Sequence, residues 1–255
     1  MTGSEDSTAM HVDEAQLEAA RQDREGLIWF DEMVAQSNGL ETTQLTGPGS
    51  NTPIGQNAFD LIVEFEVSSA QVYERKYRST IWPQGESGVT IGIGYDVGYA
   101  SKSQLHSDWD GAIPAAMVVV LEKALGVKAA AAAAIARSLA PSVDISFDAA
   151  IGVHRTKVVP RWVALVEGSL ENTHLLSPDS LGALVSLTYN RGASFPKPGD
   201  RYAEMRNIKS DMANRAFGRI PGELRSMKRL WPTVPGLQAR REREARLFEA
   251  GLATA

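Results

Sequence analysis

The chain has 255 residues, 43% of them hydrophobic, and a formal net charge of −5, enough apolar material to bury a sizeable core as one large domain or one domain with an extension. It contains no cysteine, which excludes disulfide staples, a thiol nucleophile and a thiolate metal site. Its four histidines (His11, His106, His154, His174) lack ligand spacing, and no His-Glu-x-x-His pattern or phosphate-binding Gly-rich loop occurs, so metal catalysis and nucleotide hydrolysis are disfavoured and no cofactor is expected.

In chain order, the first ten residues are polar and are expected to be disordered. Residues 12–36 read as an acidic helix with an imperfect apolar side made by Leu17, Leu27, Ile28, Phe30, Met33 and Val34. Residues 37–53, rich in Gly, Ser, Thr and Pro, read as a linker. The expected organisation is therefore an acidic extension over residues 1–55 and a main domain over 56–255. Charge divides the same way: residues 1–60 hold 11 acids against 2 arginines, net −9, and the rest carry +4. Residues 201–255 alone are net +6, a surplus that attracts anionic polymer at long range but that on amphipathic helices ordinarily marks a solvated face. Its basic residues are interleaved with Glu and carry no nucleic-acid signature, so nucleic acid is not an expected partner. Neither a secretion-type leader nor an 18-residue apolar span is present, so no membrane anchor is expected.

Residues 57–73 are predicted to be helical, with Phe59, Ile62, Val63 and Ala70 on one stripe. Glu66 falls on that stripe and Glu64 on the opposite, water-facing side. Desolvation of a carboxyl on an apolar face disfavours its charged form, which is what a general acid near neutral pH requires. The competing reading of Glu66 is a core-edge carboxylate paired with an arginine, Arg75 or a distant one.

The run Ser87-Gly88-Val89-Thr90-Ile91-Gly92-Ile93-Gly94-Tyr95-Asp96 then alternates, with Ile91, Ile93 and Tyr95 on one side and Thr90, Gly92, Gly94 and Asp96 on the other. Glycines beside a hydroxyl and a carboxylate leave backbone bare for close approach by a flat ligand such as a saccharide, although Gly-rich strands also serve as bulges or bends. Glycoside hydrolysis needs an acid and a second carboxylate that attacks the sugar or activates water. Glu66 is assigned as acid, Asp96 as base and Thr90 as the residue that positions the water. A straight strand would separate Thr90 from Asp96 by roughly 20 Å, so the chain must turn at Gly92 and Gly94. If it runs straight, Glu86 becomes the rival base.

Beyond this region, helices are predicted over residues 113–125, 128–139 (with alanines at 129 to 134), 161–168, 179–190, 200–215, 221–230 and 237–250. Ser177 is the expected N-cap and Pro178 the first residue of the fourth of these. Asn190 and Arg191 read as a helix end with a carbonyl-binding arginine, or else as cleft residues. Trp82 and Trp231 read as core aromatics and are left out of the site.

Phe65-Glu66, Tyr73 and Thr90-Ile91-Gly92-Ile93-Gly94 together resemble the catalytic segment of phage-type lysozymes. Residues Gly182 to Gly192 are similar to that family's inner helix, and Gly236 to Phe248 to its closing helix, so the resemblance spans roughly residues 56 to 251. Common phage lysozymes carry the catalytic Asp six residues before the Thr, where this chain has Gln84; here Asp96 follows the Thr by six, which resembles the pesticin branch with its Glu, Thr, Asp order. The resemblance implies an α+β, predominantly α-helical, lysozyme-like fold with a small β-hairpin lobe and a larger helical lobe separated by a substrate cleft. It also implies a cofactor-free muramidase cleaving, with inversion, the β-1,4 bond between N-acetylmuramic acid and N-acetylglucosamine in the peptidoglycan strand.

Biologically, the expectation is a monomeric antibacterial effector, made in the cytoplasm and acting at the cell wall of a target cell. A delivery or chaperone protein docking on residues 1–55 and a cognate immunity protein are its expected partners. A phage endolysin of the same chemistry and a lysozyme-like module that binds glycan without cutting it are the alternatives.

Overall fold

The structure, a computed structural model, describes residues 12–22 and 48–253. The expected disordered start and most of the expected acidic helix and linker lie outside the described residues. Within them, helices are α1 (Glu14–Gln22), α2 (Gln56–Val67), α3 (Ala70–Lys76), α4 (Lys102–Trp109), α5 (Ala115–Leu121), α6 (Ala130–Leu139), α7 (Phe147–Val153), α8 (Val159–Ser169), α9 (Pro178–Arg191), α10 (Ala203–Ala213), α11 (Ile220–Ser226) and α12 (Pro235–Leu252). Strands β1 (Thr90–Ile91) and β2 (Tyr95–Asp96) form a two-stranded antiparallel sheet. The chain is thus α+β and predominantly helical.

Helix α9 is the axis of the fold. Ser177 accepts a hydrogen bond from Ser180 N and Pro178 occupies the first turn, as the sequence predicts, because neither the missing proline N–H nor its fixed φ disturbs a helix start. From Ser180 to Thr188 every residue is buried, and α9 packs against α12, α2 and α8. A helix apolar all round is stable only when neighbours cover all its faces.

The single helix predicted over 57–73 is two. Ser68 adopts φ 65, which ends α2, and Ser69 caps α3 by accepting from Val72 N. Phe59, Ile62 and Val63 are buried as expected, Ala70 is exposed, and Glu66 stands in the last turn of α2. Two short helices, α4 and α7, were not predicted; their start signals are single serines, Ser101 and Ser146, ahead of weakly periodic sequence. Between α7 and α8 the chain makes a π-helical turn over His154–Val158.

Around the glycine run, strand pairing consists of the hairpin plus isolated bridges of Ile81 with Thr90 and of Gly88 with Lys128. The hairpin's apolar side is anchored from below: the Tyr95 hydroxyl donates to Asp108 Oδ2 at 3.0 Å, and Arg161 grips the same carboxylate at 2.7 and 2.5 Å. Burial, aided by the Asp108 charge, pushes the Tyr95 phenol well above its ordinary range, so it acts as a neutral donor. Tyr95 also meets Trp109 edge-on, ring centroids 5.4 Å apart.

The described part of the N-terminal segment is packed on the rest. Leu17 joins Leu61, Phe65 and Ala239 in a small apolar cluster, Glu14 pairs with Arg75 at 2.9 Å and with Lys76, and Ser50 N donates to Pro160 O at 2.9 Å. No helix among the described residues is long and apolar enough to cross a membrane.

Candidate active-site cleft

Glu66 sits at the end of α2 with its side chain 10% exposed and Oε1 3.5 Å from Arg240 Nη1. Its arginine is therefore a distant one, whereas Arg75 serves Glu14. Arg240 is fixed in turn by Ser186 O at 3.1 Å, by the Ser186 hydroxyl and by Glu244 Oε1 at 3.3 Å, and lies over the Phe65 ring. Glu64, on the other side of the helix, is tied to Arg243 at 2.7 Å.

The hairpin resolves the spacing problem posed by the sequence. Gly92 and Gly94 take φ 58 and 67, the chain reverses, and Thr90 becomes the cross-strand partner of Asp96, with Ile91 opposite Tyr95. Directly opposed residues on a hairpin project to one face, so Thr90 and Asp96 are neighbours. Bareness at Gly94 has a specific reason: a Cβ there would lie 2.8 Å from Glu66 Oε2 and 3.3 Å from the Tyr189 hydroxyl. The hairpin turn and the Glu66 carboxylate are thus in close contact.

Asp96 is 2% exposed; its Oδ2 accepts from Gly88 N at 2.9 Å and its Oδ1 from Gly98 N at 3.0 Å. Two backbone amides hold the carboxylate, and it is not among the residues lining the cleft. Thr90 is, with its hydroxyl 3.4 Å from Gly88 O. Glu86 is exposed beside the Gln84-Gly85 turn, does not line the cleft, and contributes only its carbonyl, which accepts from the Tyr99 hydroxyl at 3.0 Å.

The cleft is open, with about 590 Å³ of empty space when the adjoining solvent at its mouth is included. Glu66, Thr90, Gly92, Gly94, Tyr77, Trp82 and Gln84 are among the residues that line it. Trp82, read from sequence as core, is half-buried with its indole N–H donating to Ser87 O at 3.0 Å, so it borders the cleft with its orientation fixed. Gln84, at φ 80, occupies an uncommon backbone conformation for a residue with a side chain. Trp231 is buried, as expected, and Arg191 leaves the cleft altogether: its guanidinium packs on Trp231 and Tyr202 while Nη2 donates to Arg201 O at 2.9 Å.

Helix α1 also reaches the cleft. Glu18 and Arg21 line it, Arg21 Nε donating to Phe65 O at 3.1 Å and Nη1 to Glu18 Oε2 at 2.9 Å. Burial pushes the Tyr77 phenol up to about 12, so it stays a neutral hydroxyl and donates to Glu18 Oε2 at 3.1 Å. No local spacing could have placed Glu18, Arg21, Tyr189 or Arg240 near Glu66, since each reaches it from a distant element. Trp82 alone carried a usable signal, an aromatic a few residues before the glycine run.

Behind the hairpin, the His154 ring lies 5.7 Å from Phe59 and 5.8 Å from Tyr189, and Tyr189 meets Trp162 with centroids 4.8 Å apart and the rings tilted by 39°. Burial pulls the His154 imidazole down to about 3, the Ile93 backbone opposing the drop and the Arg155 charge adding to it.

Within residues 201–255, Arg225 pairs with Glu249, Arg229 with Glu204, Arg241 with Glu244 and Arg246 with Glu242, which leaves the segment's +6 unchanged; Arg243, Arg240 and Arg229 also reach acids outside it, Glu64, Glu66 and Asp200. Neither a protein-family model nor a curated protein sequence matches this chain.

Proposed function

We propose that this protein is a peptidoglycan hydrolase of the muramidase type, with a lysozyme-like arrangement of a hairpin lobe and a helical lobe about the cleft. The observation that carries the reading is the juxtaposition of a nearly buried carboxyl, Glu66, with bare hairpin backbone that bears Thr90 opposite Asp96, in an open cleft that Glu66, Thr90 and the Trp82 ring line. Glu66, when protonated, donates its proton to the glycosidic oxygen as the bond to the leaving sugar breaks. Asp96 and Thr90 hold and deprotonate the water that attacks the anomeric carbon from the opposite face, giving inversion. Trp82 offers its apolar face to a sugar ring. No cofactor enters this chemistry.

In cellular terms the reading is an antibacterial effector acting on the wall of a target cell, with an immunity protein and a delivery protein as partners. The test is purified protein incubated with peptidoglycan sacculi while new reducing ends are measured. Wild type releases them and Glu66→Gln does not; full activity in that variant refutes the acid assignment.

One observation favours a second reading, a glycan-binding module that does not cut. The Asp96 carboxylate is engaged by two amides and stands off the cleft lining. Sacculus binding by the wild type without new reducing ends would select it.

A further inference from the structure

Part of the cleft lining comes from a segment that the charge pattern assigns to an accessory extension. Glu18, on α1, has a side chain 46% exposed and lines the cleft, while Arg21 beside it is only 8% exposed. Both hydrogen bonds that Glu18 receives go to the same oxygen: Oε2 accepts from Arg21 Nη1 at 2.9 Å and from the Tyr77 hydroxyl at 3.1 Å. Arg21 is itself locked, its Nε on Phe65 O at 3.1 Å and its Nη2 on the Ser68 hydroxyl, at the end of the helix that carries Glu66. The carboxylate is therefore held from one side, and among the described residues Oε1 accepts nothing.

We propose that Glu18 is a substrate-contact residue: clamped through one oxygen by Arg21 and Tyr77, it offers the other to a hydroxyl or acetamido N–H of an N-acetylated glycan. Helix α1 is then a wall of the sugar-binding site. The inference rests on the glycan reading of the cleft and adds the ligand class on this side, a neutral hydrogen-bond donor. Holding the carboxylate in advance removes much of the rotamer entropy that a free glutamate would lose on binding, and an ionised acceptor makes roughly twice as strong a hydrogen bond as a neutral one.

The experiment uses the full chain as wild type, Glu18→Ala and Glu14→Ala. Alanine is the best helix former, so both variants keep α1 helical. Glu14 anchors the same helix to Arg75 and Lys76 without lining the cleft, so its variant reports on docking alone. Affinity for a soluble N-acetylglucosamine hexamer is measured by calorimetry, and KM and kcat from initial rates on peptidoglycan. Glu18→Ala is expected to weaken hexamer binding and raise KM about tenfold, the size of one charge-assisted hydrogen bond, with kcat changing far less. Glu14→Ala is expected to stay within about twofold of wild type in both. Unchanged hexamer affinity in Glu18→Ala, or an equal loss in Glu14→Ala, overturns the proposal while leaving an active wild type. A wild type that neither binds the hexamer nor cleaves peptidoglycan overturns the glycan reading itself, and this inference with it.

Discussion

Arg240 Nη1 stands 3.5 Å from Glu66 Oε1, while the rest of the same guanidinium is taken up by Ser186 and Glu244 inside the helical lobe. The position of the candidate acid at the end of α2 is thus set by α12, through a side chain that is itself almost wholly buried.

Replacing Arg240 by Met strands Glu244 and Ser186, both fully buried, with one donor fewer. Removing one member of a buried charge network costs about 3 kcal/mol or more. Urea denaturation should show that loss for Arg240→Met, whereas Glu66→Gln, which keeps an oxygen within reach of Arg240 and leaves that guanidinium its bonds to Ser186 and Glu244, should move stability by less than about 1 kcal/mol. Equal stabilities would mean that Arg240 supports nothing.

Gly94 separates backbone strain from site geometry. It sits at φ 67 and a Cβ there would lie 2.8 Å from Glu66 Oε2, whereas Gly85 sits at φ 59 with open space around it. Alanine at either position costs about 1–2 kcal/mol for the left-handed conformation. Only Gly94→Ala also pushes on the Glu66 carboxylate, so its peptidoglycan cleavage should fall by at least about tenfold while Gly85→Ala keeps its rate. Equal activities would detach Glu66 from the hairpin.

The parts of this arrangement readable in the sequence are those written in short-range patterns. The apolar stripe around Glu66, the Ser177-Pro178 helix start and the turn demanded by Gly92 and Gly94 all follow from the local spacing of a few residues. The break at Ser68 was not readable, because the apolar periodicity continues across it to Val72 and Tyr73. Nor was the role of α1: an acidic composition reads as an extension, yet Leu17 packs against Leu61, Phe65 and Ala239, and such contacts leave no trace in the sequence around Leu17. The partners that hold Asp96 are backbone amides of glycines, which carry no side-chain signature.

The anchor beneath the hairpin should be costly to break. Asp108 has a fully buried carboxylate that satisfies Tyr95 and Arg161 at once. Asp108→Ala leaves a half-buried guanidinium and a buried hydroxyl without that acceptor, a loss of about 3–5 kcal/mol. Thermal or urea unfolding checks this, and a change below about 1 kcal/mol would show that the anchor is dispensable.

His154 makes a prediction about pH. Its imidazole accepts a proton near 6.5 when unfolded but only near 3 in the folded protein. Between those values the unfolded chain binds more protons, so the contribution is fully present above about pH 6.5 and declines as pH falls toward 3. The total involved is on the order of 5 kcal/mol. Carboxylates titrate in the lower part of this window, so the informative quantity is the slope of stability between pH 6.5 and 5, compared with His154→Phe. The wild type should lose stability more steeply than the variant; identical slopes would mean that His154 is not neutral in the fold.

Asp96 and Thr90 can be distinguished from Glu86 by pairing activity with stability. Asp96→Asn puts an amide NH2 where one of two backbone N–H groups, Gly88 or Gly98, expects an acceptor, so it should cost about 1–3 kcal/mol in addition to lowering cleavage by orders of magnitude. Loss of activity in that variant alone therefore conflates chemistry with folding. Thr90→Val is cleaner: the shape is kept, and the backbone bonds of residue 90 to Ile81, at 2.8 and 3.0 Å, are untouched. It should leave stability within about 1 kcal/mol yet reduce kcat roughly 10- to 100-fold, because the water loses the hydroxyl that holds it. Glu86→Gln, changing an exposed side chain away from the cleft lining, should alter neither rate nor stability. If Glu86→Gln abolishes cleavage while Thr90→Val does not, the attacking water is held at the Gln84-Gly85 turn, and the pairing of Thr90 with Asp96 only shapes the hairpin.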